Sequence, residues 1–190
     1  MRADAEKNYG HILAIARDLL GKGGTEASLR DIARTAGVGL GTLYRHFPSR
    51  EALLEALLRA NFDELAARAR ELESSHSAGV ALVSWLREIV TVAHNYSGAI
   101  QSMVSAIDDE ASALHASCVM MKAAGTRLLV RAQDAAAARD DIDGADLFAL
   151  VSALAWLNDQ PALASRADRL FKVIAGAILV KPETLDVPPL

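Results

Sequence analysis

The chain has 190 residues, about half of them apolar, with few aromatics and five prolines. That is enough to bury a core and excludes a disordered chain. The lone Cys118 excludes an intramolecular disulfide; with no leader-like apolar segment near the N-terminus and no apolar run approaching the roughly 20 residues of a membrane span, the expected setting is the cytoplasm, with no membrane partner. Charge is uneven: residues 1–50 carry eight Lys/Arg against five acids while the whole chain is −4, so the first quarter suits a polyanion and the remainder is acidic.

Alanine and leucine dominate and lose little rotamer freedom in helices, which predicts an all-α chain of about nine helices and no sheet. Ile12, Leu13, Ala16, Leu19 and Leu20 mark one face of a first helix over about 4–21, stopped by Gly21, Gly23 and Gly24. Ser28 caps a second helix over about 29–36, with Asp31 three residues on approximating a capping box and Leu29, Ile32, Ala33 and Ala36 facing inward. Gly37 follows, where a helix commonly ends at positive φ. With Gly39 as N-cap, a third helix runs from Leu40 to His46 and ends at Phe47 and Pro48. Two helices joined by a tight glycine turn are a helix-turn-helix, whose second member fits the major groove of B-DNA.

Ser49 caps a fourth helix to about residue 73, with Leu53, Leu54, Leu57, Leu58 and Leu65 buried. At 1.5 Å per residue it spans roughly 36 Å, long enough to join a head of residues 1–50 to a body of 51–190. Ser74, Ser75, His76, Ser77 and Gly79 form the loop after it. Further helices are predicted near 80–95, 97–106, 110–138, 144–158 and 164–180, with loops at 139–144 and 158–165 and a frayed tail from Pro182.

The block from Ser28 to Leu58 carries an apolar-Ala pair (Ile32-Ala33), Gly37-Val38 at the turn, Thr42-Leu43-Tyr44-Arg45-His46-Phe47 in the third helix, and Ser49-Arg50 opening the fourth. It closely resembles the DNA-binding domain of TetR/AcrR-type regulators. The one departure is Tyr9-Gly10-His11, a glycine where a better helix former is usual, which loosens the first turns of helix 1. The resemblance implies a homodimeric, ligand-responsive repressor with a DNA head and a ligand-binding and dimerisation body. Its partners would be a palindromic duplex operator, a second copy of itself and a small-molecule effector of unknown identity, with no cofactor.

Val38, Leu43 and Phe47 should face inward, so the intervening positions of the third helix point outward. Thr42, Tyr44 and His46 then donate to phosphate, the positioning role the resemblance assigns them. Arg30 and Arg45 are the candidates for base contacts, because a guanidinium bridges guanine O6 and N7. Leu40 can touch a thymine methyl and Gly41 allows close approach. Ser28 and Arg50 stand at the N-termini of helices 2 and 4, where free N–H groups hold phosphates.

In the body, Trp85, His94, Tyr96, Met103, Ile107, His115, Met120, Met121 and Trp156 are the candidates to line the effector pocket, although for any one of them ordinary core packing is the competing reading. Cys118 reads as a buried structural thiol. No metal site is expected: His94 and His115 are far apart, and the acids of 108–110 and 140–143 sit where acids favour helix starts. The last two helices are apolar over a wide face, and the resemblance makes Leu147, Leu150, Val151, Leu154, Leu170, Phe171, Ile174, Ala177 and Ile178 a four-helix dimer interface. No nucleophile-base pair has motif spacing, which argues against the rival reading as a helical small-molecule enzyme. A protein-interaction adaptor would explain the apolar C-terminal helices but not the TLYRHF block.

Overall fold

The structure is a computed structural model that describes residues 2–23, 27–74, 77–160 and 162–180. Among these, the chain forms α1 (Arg2–Gly23), α2 (Leu29–Thr35), α3 (Leu40–His46), α4 (Arg50–Leu72), α5 (Ala78–Asn95), α6 (Ser97–Ser102), α7 (Val104–Asp108), α8 (Ala113–Asp134), α9 (Gly144–Asn158) and α10 (Ala167–Ile178), with one 3-10 turn at Ala164–Arg166. The fold is all-α, and the nearest thing to a strand is an isolated bridge between Ala138 and Leu179 that ties the loop after α8 to the end of α10. Met1, residues 24–26 with the predicted stop at Gly24, residues 75–76, Pro161 and the tail from Lys181 lie outside the described residues.

The head is built on apolar residues spaced for helices. Ile12, Ala16 and Leu20 of α1, Ile32 and Ala33 of α2 and Leu43 of α3 are buried together with Phe47, Leu53 and Leu57. α1 passes through Gly10 without a break, and the glycine is exposed. In the body, α4 lies along α8, and α5 packs on α8 and α9. Trp85 is fully buried, donates from Nε1 to the Leu65 carbonyl at 2.9 Å and meets the Phe148 ring edge-on. A Cβ on Gly125 would overlap the Trp85 ring, so the glycine in α8 is what makes room for that indole.

Several predicted boundaries move, beginning with α1, which runs through Gly21 to Gly23. The helix expected over 97–106 is two short helices broken at Met103, whose N–H is shared between the Ala99 and Ile100 carbonyls. The helix expected over 110–138 starts later, at Ala113, where the Ser112 side chain caps it. It also ends earlier, at Asp134, because Ala136 takes a left-handed φ of 50° and the Ala137 N–H turns back to the Ala132 carbonyl. The last helix begins at Ala167 after the 3-10 turn and stops at Ile178.

Candidate nucleic-acid interface and effector cavity

The turn between α2 and α3 follows from one residue. Gly37 has φ +65°, a conformation that strains any side chain, and its N–H reaches the Arg34 carbonyl while the Val38 N–H returns to Ala33 at 3.0 Å. Gly39 then caps α3 through its carbonyl, which receives the Thr42 and Leu43 N–H groups. Leu43 (0% exposed) and Phe47 (1%) pin the inner side of α3, and the Tyr9 ring stacks on Phe47 with centroids 4.8 Å apart. From α1, His11 Nε2 meets the Ala36 carbonyl at 3.2 Å, fixing α1 against the end of α2.

What remains outside is the predicted reading surface. Gly41, Tyr44 and Arg45 are exposed, Leu40, Thr42 and His46 are half-buried, and Arg30 projects from α2. Arg30 and Arg45 have no hydrogen bond or ion pair among the described residues, and Tyr44 is 45% exposed. His46 is turned partly toward the Tyr9 and Phe47 rings.

Ser28 caps α2 as expected, and both it and Arg50 are hydrogen-bonded within the head. The Ser28 hydroxyl accepts from the Asp31 N–H and donates to the Asp31 carboxylate at 2.5 Å. That hydrogen bond, with Arg34 beside it, holds Asp31 below the usual carboxylate range. Arg50 donates to the Ala27 carbonyl at 2.6 Å, tying the start of α4 to the segment before α2. At the start of α4 the Glu51 carboxylate is likewise held low by its own backbone N–H and by Ser49. An acid therefore already stands at each of the two helix starts expected to hold phosphate.

Among the described residues the body carries several concavities, and two of them adjoin α4 and α5. The larger, about 630 Å³, is an open cleft between α4 and α5 whose charged groups are already paired, Arg68 with Glu88 and Glu71 among them. The second, about 350 Å³, is an apolar cavity walled by α4 through α9, with Phe62, Ile89, Val92, Ile100 and Met121 among its lining. Its size and character are those of a small-molecule site.

Of the residues expected to line a pocket, Ile107 and Met121 do line this cavity. Trp85 is instead core. Met103 is buried without reaching the cavity. His94 pairs with Asp159 at 2.8 Å, and His115 Nδ1 meets the Ile107 carbonyl at 2.7 Å. Tyr96 is buried against α1, where its hydroxyl donates to the Arg17 carbonyl at 3.4 Å. Trp156 is 60% exposed on the outer face of α9, and Met120 is as exposed on α8. Cys118 is buried as expected but stands in the cavity wall, where burial pushes its thiol above the ordinary range. Phe62, Ile89, Val92, Ile100 and Phe148 escaped the sequence reading because an aliphatic or phenyl side chain beside a void looks like any other core residue.

The apolar C-terminal helices divide in the same manner. Leu147, Val151, Leu154, Phe171 and Ile178 are buried within the protomer, where α9 and α10 pack on Leu86 and Val90 of α5. Leu150, Leu170 and Ile174 are half-buried and Ala177 is exposed. The outward face is completed by Trp156 and by Val173, which is 62% exposed, with the small residues Ala149, Ser152, Ala153 and Gly176 also outside. Arg87 holds α10 in place: it is buried, pairs with Asp168 at 2.9 Å and lies 4.2 Å over the Phe171 ring.

A helix-turn-helix head joined by a long helix to a cavity-bearing helical body is the architecture of a DNA-binding regulator. Residues 12–57 match the family described as bacterial regulatory proteins, tetR family, and residues 77–177 match the transcriptional regulator SbtR-like C-terminal domain. The chain belongs to the TetR family of transcriptional regulators. Among solved structures, it is similar to the TetR regulator SCO0520 of Streptomyces coelicolor (31% identity, TM-score 0.71, covering 91% of this chain and 99% of that one). A TetR regulator of Mycobacterium vanbaalenii is comparable (30%, TM-score 0.68, 94% and 99%). The repressor KstR2 of Rhodococcus jostii is 35% identical over 100 residues, 52% of this chain and 48% of its own. The chain spans less than half the length of the curated relatives it matches. Among the described residues no helix is long and apolar enough to cross a membrane.

Proposed function

We propose that the chain is a non-enzymatic, ligand-responsive repressor that grips an inverted-repeat operator as a homodimer, with one α3 in each of two successive major grooves. The observation that carries this reading is the outward surface of α3, held from behind by Leu43 and Phe47 and presenting Thr42, Tyr44 and Arg45 to solvent. Arg45 and Arg30 are the base readers, Thr42, Tyr44 and His46 the phosphate donors, and Leu40 and Gly41 the close-approach positions. Ser28 and Arg50 order the head rather than touch DNA. Repression is favoured by the likeness to KstR2, which is named a transcriptional repressor. The cytoplasm is the compartment such a role requires.

The second copy packs on the outer face of α9 and α10, centred on Trp156, Val173, Ile174 and Ala177, where small neighbours let helices approach closely. The effector occupies the apolar cavity. There it touches Phe62 of α4 and Ile100 of α6, and Tyr96 at the start of α6 is joined to α1 through Arg17, which in turn pairs with Glu64 of α4 at 2.8 Å. An effector that fits one head separation better than the other shifts the dimer toward it; equal fit would shift nothing.

Recovery of genomic fragments bound by the purified protein tests the operator. A shared inverted repeat with half-sites about one helical turn apart, or a multiple of it, is expected. Fragments without a common repeat would reject the symmetric mode.

A further inference from the structure

The wall of the apolar cavity carries a single full charge. Phe62, Ile89, Val92, Ile100 and Met121 give it a hydrocarbon interior, and no acid lines it. The polar groups are Lys122, Ser152 and the Cys118 thiol, and the Ser152 hydroxyl is already donated to the Phe148 carbonyl at 2.9 Å. Lys122 is exposed and has no ion pair among the described residues, unlike Lys172, which is held by Asp168 at 2.9 Å.

The position of Lys122 is also informative. Lys122 and Phe148 line both this cavity and an outer groove between α8 and α9 bordered by Val119 and Thr126, so the two side chains stand at the mouth. Asp108 of α7, which also acts on the Cys118 thiol, is outside the lining. An apolar chamber with one unpaired cation at its mouth favours a ligand whose body is hydrocarbon and whose end is negative.

We infer that the cavity takes a small monoanionic amphiphile, a carboxylate on an aliphatic or aromatic body, with the body among Phe62, Ile89 and Met121 and the charge at Lys122. This rests on the reading of the cavity as the effector site. A cationic ligand is disfavoured by the same lysine, and a neutral one leaves it without a role.

Isothermal titration of the full chain with octanoate, 1-octanol and octylamine tests both levels. Octanoate should bind about three- to tenfold more tightly than octanol, a modest ratio because Lys122 is in contact with water, and octylamine should bind most weakly. In Lys122→Met the octanoate advantage should vanish while octanol binds as before, which also shows that the variant is folded. Equal binding of octanoate and octanol to the unaltered chain, or an octanoate advantage that survives Lys122→Met, would overturn the anionic assignment and leave the effector-site reading standing. Binding of none of the three would overturn both.

Discussion

Tyr44 and Arg45 are neighbours on the exposed side of α3, yet they differ in what they can distinguish on a duplex. A phenol hydroxyl that donates to phosphate is indifferent to sequence, whereas a guanidinium forked onto a guanine is not. Arg45→Ala is therefore expected to cost about 1–3 kcal/mol and to relax preference at one operator position, while Tyr44→Phe weakens all sites alike. Equal losses across a panel of single-base operator variants for both substitutions would reject that division. In the body, Gly125→Ala drives a methyl into the Trp85 ring and should lower stability by about 1–3 kcal/mol, read by urea denaturation. Leu43, Phe47 and Gly37 were legible because a short helix between a positive-φ glycine and a proline admits few arrangements. Gly125 was not, since nothing in its own neighbourhood tells that an indole from another helix will lie against it.

At the scale of elements, stability rests on how each helix is ended and latched. Asp143 caps α9 in a full capping box with Asp146, so Asp143→Ala should cost about 0.5–2 kcal/mol. α10 is latched by Asp168, whose carboxylate is held below its ordinary value of about 3.9 first by Lys172 and then by Arg87. Because the folded value is the lower one, this contribution is present above the unfolded value and is lost as pH falls below about 4. Denaturation at pH 7 and pH 3 should accordingly differ less in Asp168→Asn than in the unaltered chain; an equal difference would show that the latch adds nothing. Most helices were legible from apolar spacing and caps. The end of α8 was not, because the left-handed residue there is Ala136 within a run of four alanines, with no glycine to mark the stop. The break at Met103 likewise lacks any glycine or proline.

Across the whole molecule, the head, a long α4 and a cavity-bearing body are joined through the Tyr96–Arg17 hydrogen bond and the Arg17–Glu64 pair. The helix-turn-helix was legible from the glycine turn and the TLYRHF block; the identity of the cavity wall was not, because apolar residues beside a void look like any others in the core. The outer face of α9 and α10 predicts a dimer at micromolar concentration by sedimentation, and Trp156→Arg with Val173→Asp should yield folded monomers; a double variant that stays dimeric would remove that face from the interface. The claim on which the rest depends is that α3 enters a DNA groove. Fluorescence anisotropy of a labelled inverted-repeat duplex, titrated with protein across a salt series, measures it directly. Binding should be tight at low salt and weaken about a thousandfold or more between roughly 50 and 200 mM, as release of condensed counterions requires when six or more phosphates are contacted. No binding to any duplex at the lowest ionic strength, or an affinity that salt leaves unchanged, would contradict it.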